Sequence, residues 1–459
     1  MRASNSTSTT EMAIKKRFTS SLAEACRAAR RLVVYRVLLE DSVIKDFISL
    51  LDRLTSPGSE SELLDSYHQF IFNLISQENP GSWPDAWQRY LVSAILLDEN
   101  PFSRLAERMP YDAISEALRR AAKHDLCCLE KLFRITPDQV RQAMSELLYE
   151  SGSSVKTLEE LPDWGGMVFL QTPDPEIARR LTASGDWSAE APHLAAHYYR
   201  WGSGRLARFA AFRWESRKNC GNLVGIGNPD QVSFDDLVEY HGQRQQLILN
   251  TERFLSGLPA SNVLLYGKRG TGKSSMVKAL LNRYYLQGLR LVEVSKDDLS
   301  DLPSIVNLLR NRTLHFIIFV DDLSFEEHEI QYKGLKAVLE GGIETMPKNV
   351  LIYATSNRRH LIREYFSDRE PGEEIHRDDT LQEKLSLADR FGITIFFPAP
   401  TQSVYLRIVE ELANQRRIPL GREELHARAR EWEKWQNGIS GRTARQFVDN
   451  LAAEFGIKR

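Results

Sequence analysis

Apolar and polar residues alternate in two different ways along this chain, with the change near position 225. In the first part, apolar side chains recur at mixed three- and four-residue spacing, the period of helices with one buried face. Residues 22–54 show it through Leu32, Val33, Tyr35, Val37, Leu38, Leu39, Ile44, Phe47 and Ile48. Residues 61–75 (Leu63, Leu64, Tyr67, Phe70, Ile71, Leu74) and 87–97 repeat it. Pro80-Gly81-Ser82-Trp83-Pro84 breaks the chain, Pro101 and Pro110 punctuate the next helices, and Pro137-Asp138 reads as a helix start.

Beyond 225 the apolar residues gather into short continuous runs, at 262–266, 314–320, 349–356 and 393–397, with helical patterns between them. That alternation predicts a parallel sheet covered by helices on both faces. Pro398-Ala399-Pro400 ends it, and three helical patterns come after it, over 401–416, 422–435 and 440–455. The expected domains are therefore a mostly helical region over 1–225, an α/β core over 226–400 and a helical lid over 401–459. Residues 221–230, rich in glycine and asparagine, read as the linker into the core.

The first apolar run opens onto the decisive motif. Val263-Leu264-Leu265-Tyr266 is followed by Gly267-Lys268-Arg269-Gly270-Thr271-Gly272-Lys273-Ser274 and then by a helical Ser275-Met276-Val277. The loop fits G-x-x-x-x-G-K-[ST] in the strand-to-helix setting that motif requires. Its glycines permit positive φ, and its N–H groups together with the helix N-terminus form a positive cradle for phosphate. Lys273 suits the β/γ-phosphates and the Ser274 hydroxyl suits Mg²⁺. A plain glycine turn before a helix would leave the flanking strand unexplained.

Four later segments supply matching chemistry. The run 314–320 ends in Asp321-Asp322. Asp321 is assigned to Mg²⁺, through water, and Asp322 to orienting or deprotonating the attacking water. A helix-capping role for the pair is the plain alternative. The run 349–356 delivers Asn357, whose neutral amide can hold water near a γ-phosphate without competing for the metal. Arg390 precedes the run 393–397 on an expected subunit edge, and Gly441-Arg442-Thr443-Ala444-Arg445 begins the last helix with two cations that favour a nearby anion.

These residues resemble the AAA+ ATPases over 225–459. The resemblance makes Gly267–Ser274 the Walker A loop, Ile317–Asp322 Walker B, Asn357 sensor 1, Arg390 the arginine finger, and Arg442 sensor 2 with Arg445 as second choice. It makes Phe234–Val238 the adenine-side entry, counts Val238 and Ser275 among the nucleotide-binding residues, and makes 401–459 the lid. Through Asp236-Leu237-Val238, Phe319-Val320-Asp321-Asp322-Leu323-Ser324-Phe325-Glu326 and Ala354-Thr355-Ser356-Asn357-Arg358-Arg359-His360-Leu361 the chain also resembles, more closely, a bacterial group of ATP-binding proteins of unknown function. What this implies is a P-loop NTPase sheet with helical lid, ATP hydrolysis with Mg²⁺, and a homo-oligomer with shared sites acting on an unidentified protein client. Two departures matter. Asp322 stands where many such proteins have glutamate, one methylene longer, and 296–312 lacks the aromatic-glycine pore loop of a threading motor. Its Leu299, Leu302, Ile305, Leu308 and Leu309 predict a core-facing helix instead.

Composition narrows the partners. Sixty Lys and Arg against 62 Asp and Glu give a net charge of −2, so nucleic acid or membrane would have to meet a local patch. One such patch is 198–218, where Arg200, Arg205, Arg208, Arg213, Arg217 and Lys218 interleave with Tyr198, Tyr199, Trp201, Phe209, Phe212 and Trp214. Nucleic-acid binding through it is the rival function, and a helix whose aromatic stripe packs between domains while its arginines stay in water is preferred. The His193–His197 pair shows no third ligand, and four cysteines without metal spacing read as a reducing, cytoplasmic setting. The first ten residues read as a frayed tail, and no run approaches the ~20 apolar residues that span a bilayer.

Overall fold

The computed structural model describes residues 20–56, 59–76, 85–150, 175–216, 221–325, 332–340, 345–359, 361, 387–436 and 438–457. The expected tail over 1–10, the break over 80–84, and Arg217 and Lys218 lie outside the described residues. The chain divides into two compact units, Met1–Arg208 and Phe209–Arg459. No helix among the described residues is long and apolar enough to cross a membrane.

The first unit is helical, as its periodicity predicts. Its longer helices are Ser42–Thr55, Glu60–Ser76, Ala86–Leu97, Glu116–Phe133 and Pro137–Glu150. Local chemistry sets where they begin. The Asp41 carboxylate accepts from the amides of Val43 and Ile44, and Asn100 with Ser103 forms a reciprocal cap ahead of Pro101. Trp87 sits fully buried with its ring 3.9 Å from that of Phe47, and its indole N–H donates to the Leu132 carbonyl. The continuous pattern over 22–54 resolves into a helix over 20–29, a 3₁₀ turn Arg36–Glu40 and the helix Ser42–Thr55. The interruption has a cause: buried Asp125 takes the amides of Val33, Val34 and Tyr35 at 2.8, 2.6 and 2.9 Å, leaving none of them to a helix ladder.

The second unit is built on a seven-stranded sheet. Its strands are β1 (Ala211–Glu215), β2 (Asn222–Ile226), β3 (Val263–Gly267), β4 (Leu289–Glu293), β5 (His315–Val320), β6 (Val350–Ser356) and β7 (Ile393–Phe397). They lie in the order β2-β1-β4-β5-β6-β3-β7, and all pairings are parallel except β1 with β2. Strands β3, β5 and β6 are buried on both faces, which is why they read as unbroken apolar runs. Helices α1 (His241–Leu255) and α2 (Lys273–Tyr284) pack on one face through Leu247, Phe254, Val277 and Leu280. Helix α3 (Leu302–Leu309) comes after a 3₁₀ turn and buries Leu302, Ile305 and Leu309, while Leu308 is exposed. Helix α4 (Tyr332–Glu340) precedes β6.

Two expectations change here. The linker over 221–230 contains β2, and the unit boundary falls at 208/209 rather than 225, because β1 joins the sheet beside β4. The basic-aromatic segment is correspondingly not one helix. Gly202, at φ 77°, stops the helix Ala191–Trp201, and Phe212 and Trp214 are inward positions of β1. Helices α5 (Gln402–Gln415), α6 (Arg422–Trp435) and α7 (Gly441–Glu454) form the predicted lid around Tyr405, Val409, Phe447 and Leu451. The fold is thus a P-loop α/β sheet with a helical lid, preceded by a helical region.

Candidate functional site

From β3 the chain crosses to β4 at the far side of the core strands and then returns through β5 and β6. The loops after β3, β5 and β6 therefore converge at the carboxyl ends of the strands, where open α/β sheets place ligands. The loop after β3 is forced by glycine. Gly267 (φ 142°) packs so closely on β7 that a Cβ there would sit 2.0 Å from the Phe397 carbonyl oxygen. Gly270 and Gly272 take φ 77° and 89°, left-handed backbone that glycine adopts without strain.

Lys273 stands in the first turn of α2 and is only 6% exposed. Its Nζ donates to the carbonyls of Gly267 (2.8 Å) and Lys268 (2.9 Å) and reaches the Asn357 Oδ1 at 3.5 Å. These acceptors are neutral. Burial lowers its pKa, Asp321 and Asp322 partly offset that, and Arg269 adds to it. The result is a desolvated ammonium suited to an incoming anion.

The two acids after β5 point to different partners. Asp321 accepts from the Ser274 hydroxyl at 2.6 Å and from the Thr355 hydroxyl at 2.5 Å. Asp322 takes left-handed backbone (φ 52°), accepts from the Asn357 amide and lies 3.5 Å from Arg269. Non-glycine residues with positive φ are uncommon and worth explaining.

The lid closes the other side. Ser440 caps α7 by accepting from the Thr443 amide, and the Arg442 backbone N–H donates to the Gly270 carbonyl at 3.3 Å. Arg445 reaches the Asp236 carbonyl at 3.3 Å, Gln415 bonds the Asp235 carbonyl, and Arg407 pairs with Glu239 at 3.0 Å. Between loop and lid lies a cleft of about 540 Å³. Its walls hold Arg269, Gly270, Thr271, Gly272, Lys273, Ser274, Ser275, Asp321, Asp322, Asn357, Val238, Arg442 and Arg445. Val238 packs with the lid core that includes Ile408 and Leu412 of α5, and the three form an apolar stretch of the cleft's lining.

Three sequence-predicted residues do not line the cleft. Gly267 and Lys268 turn their carbonyls to Lys273 instead of facing the cavity. Arg390 lies just before the edge strand β7 and pairs with Glu340. Sequence reasoning passed over Thr355, Ser440, Ile408 and Leu412. Ser440 carried a visible signal, a helix-capping serine before Gly441-Arg442; Thr355 carried none beyond its place two residues before Asn357.

The donor set fits the groups this chemistry would need. A hydroxyl and a carboxylate oxygen 2.6 Å apart are hard oxygen donors suited to Mg²⁺, which takes few protein ligands and keeps waters. A glycine-turned loop over a buried lysine suits a polyphosphate.

The family described as "Protein of unknown function (DUF815)" matches residues 207–455. Among curated proteins none matches the chain. Among solved structures, a RuvB variant from Thermotoga maritima is similar at 15% identity, covering 50% of this chain and 85% of its own, with a TM-score of 0.31. The structure titled Thermotoga maritima RuvB Holliday junction branch migration motor is similar at 13% identity, over the same shares, with a TM-score of 0.29. Such identities transfer no activity.

Proposed function

The chain belongs to the family described as "Protein of unknown function (DUF815)", and from its cleft we propose that it is an AAA+ ATPase that hydrolyses ATP with Mg²⁺ to drive a conformational change in an assembly or a partner. One observation carries the reading. Lys273, Asp321 and Asn357, from loops after three different strands, meet with Ser274 on one cleft that a lid helix closes.

In this reading Lys273 releases its loop carbonyls to bind β/γ-phosphate oxygens, while the loop amides hold the chain of phosphates. Ser274, and Asp321 through water, would hold Mg²⁺, which would supply positive charge to the phosphates. Asn357 and Asp322 orient the attacking water, and Asp322 takes its proton as the bond to the leaving diphosphate oxygen breaks. Arg442 and Arg445 bring positive charge from the lid, and Val238, Ile408 and Leu412 enclose the base. Arg390 serves the site of a neighbouring copy, and the helical unit faces the client. A cytoplasmic setting completes this reading.

Nucleic-acid binding through 198–218 draws little from the packing, which leaves Tyr199 exposed but encloses most of the segment's other rings. Tyr198, Trp201, Phe212 and Trp214 are buried, Tyr198 bonds Tyr35 and the Ile95 carbonyl, and Trp214 bonds Asp301. Stacking platforms need open ring faces. The test is turnover of purified protein with particle size followed, with and without ATP, Mg²⁺ and single- or double-stranded DNA. Mg²⁺-dependent turnover that Lys273→Ala abolishes is expected; turnover that survives Lys273→Ala, or none in the wild type, overturns the reading.

A further inference from the structure

Thr355 is the last but one residue of β6 and is 2% exposed, yet its hydroxyl is engaged twice. It donates to Asp321 Oδ1 at 2.5 Å and accepts from the Asp322 amide at 2.9 Å. Its backbone carbonyl accepts from the Leu323 amide at 2.7 Å. One residue of β6 therefore grips three consecutive residues of the turn that leaves β5. A hydroxyl has one proton to give and lone pairs to receive, so both side-chain bonds are made at once without competition.

The grip explains the left-handed backbone of Asp322 (φ 52°), a conformation that costs a non-glycine residue free energy and persists only where its surroundings enforce it. It also explains why the neighbouring acids diverge. Asp321 is drawn toward Ser274, while the turn at Asp322 aims that carboxylate at Asn357 and Arg269. A valine would fill the same space in β6 but leave the Asp322 amide without its acceptor and Asp321 with one donor fewer.

We infer that Thr355 is a positioning residue that sets the separate directions of the two acids, holding Asp321 for the metal and Asp322 for the attacking water. This rests on the ATPase reading of the same cleft. Thr355→Val should lower kcat about 10- to 100-fold, the usual effect of displacing a catalytic group by an ångström or less. It should also raise the Mg²⁺ concentration for half-maximal turnover several-fold, while ATP binding in EDTA stays within about twofold. Thr355→Ser, which keeps the hydroxyl, should recover most of both losses.

A second readout needs neither metal nor turnover. Hydrogen exchange at the Asp322 amide of the metal-free protein should speed up in Thr355→Val and slow again in Thr355→Ser. If the valine variant loses its cooperative melt, Thr355→Ala is read in the same ways. Wild-type values of kcat, Mg²⁺ requirement and exchange in the hydroxyl-free variant overturn the inference. Absence of ATP binding by the wild type overturns the ATPase reading instead, and unchanged exchange at Asp322 would then still show that Thr355 does not hold the turn.

Discussion

The guanidinium of Arg390 lies 2.5 Å from the carboxylate of Glu340, with each side chain about one-third exposed. Exposed ion pairs of this kind contribute only about 0–1 kcal/mol, so Arg390 can leave Glu340 at little cost when an anionic partner arrives. Its own cleft does not include it, and β7 beside it is the edge of the sheet. Arg390→Ala should therefore leave ATP affinity within about twofold and lower turnover tenfold or more, in line with arginines supplied in trans. Mixing Arg390→Ala with Lys273→Ala subunits should restore part of the activity. A loss of affinity without a change in turnover would count against the shared site.

Lys273 gives a prediction for stability. Its folded pKa is lowered by burial, so the charged ammonium is less comfortable folded than unfolded. Lys273→Met keeps the aliphatic stem and removes the charge together with the Nζ bonds to the Gly267 and Lys268 carbonyls, so the two effects oppose and it should melt close to the wild-type temperature without ligand. ATP at a hundred times its dissociation constant should stabilise the wild type by about 2.7 kcal/mol and the variant not at all. Thermal melts with and without ATP read both effects. A variant that melts lower alone yet still gains from ATP would contradict the placement.

The parts of this architecture that are local were legible in the sequence. Strand β3 and its loop, the acids after β5 and the amide after β6 each announce themselves through an apolar run ending in a polar residue. What was hidden depends on partners far away in the chain. Residues 211–215 and 222–226 carry too little alternation to betray a strand pair, and they become strands because β4 offers β1 a parallel neighbour. The helix break near Val33 is dictated by Asp125, about ninety residues on. Thr355 shows its function only once β5 and β6 lie side by side, pairing Val320 with Ala354.

Gly270 tests the junction between loop and lid. At φ 77° a side chain is strained, and a Cβ would fall 2.8 Å from the Ser440 Cβ. The same residue accepts the Arg442 amide through its carbonyl. Gly270→Ala should push Ser440 away and loosen that bond, costing about 1–2 kcal/mol in ATP affinity, roughly tenfold. Global stability should change less, because the lid keeps its own core around Tyr405 and Phe447. Binding titrations set against denaturant melts separate the two, and an unaltered ATP affinity would show that loop and lid are not coupled there.

The helical unit offers a pH test that is independent of the cleft. Asp98 is 7% exposed, and burial raises its pKa from 3.8 to about 6, with Glu99 adding to the shift and the Asn100 amide, at 2.6 Å, opposing it. Tyr35 and Tyr198 are pushed up chiefly by burial and to a smaller extent by its charge. The folded form thus holds an extra proton between about pH 4 and 6, so this group's contribution to stability falls as pH rises through that window and stays low above it. Two pH units correspond to about 3 kcal/mol as an upper bound. Asp98→Asn keeps an acceptor for Asn100 and cannot ionise, so it should gain stability over the wild type by about 2–3 kcal/mol at pH 7 and match it near pH 4. Urea denaturation of both proteins across pH 4–7 measures the difference directly, and a gap that does not vary with pH would mean that the Asp98 carboxylate keeps an ordinary pKa in the folded chain.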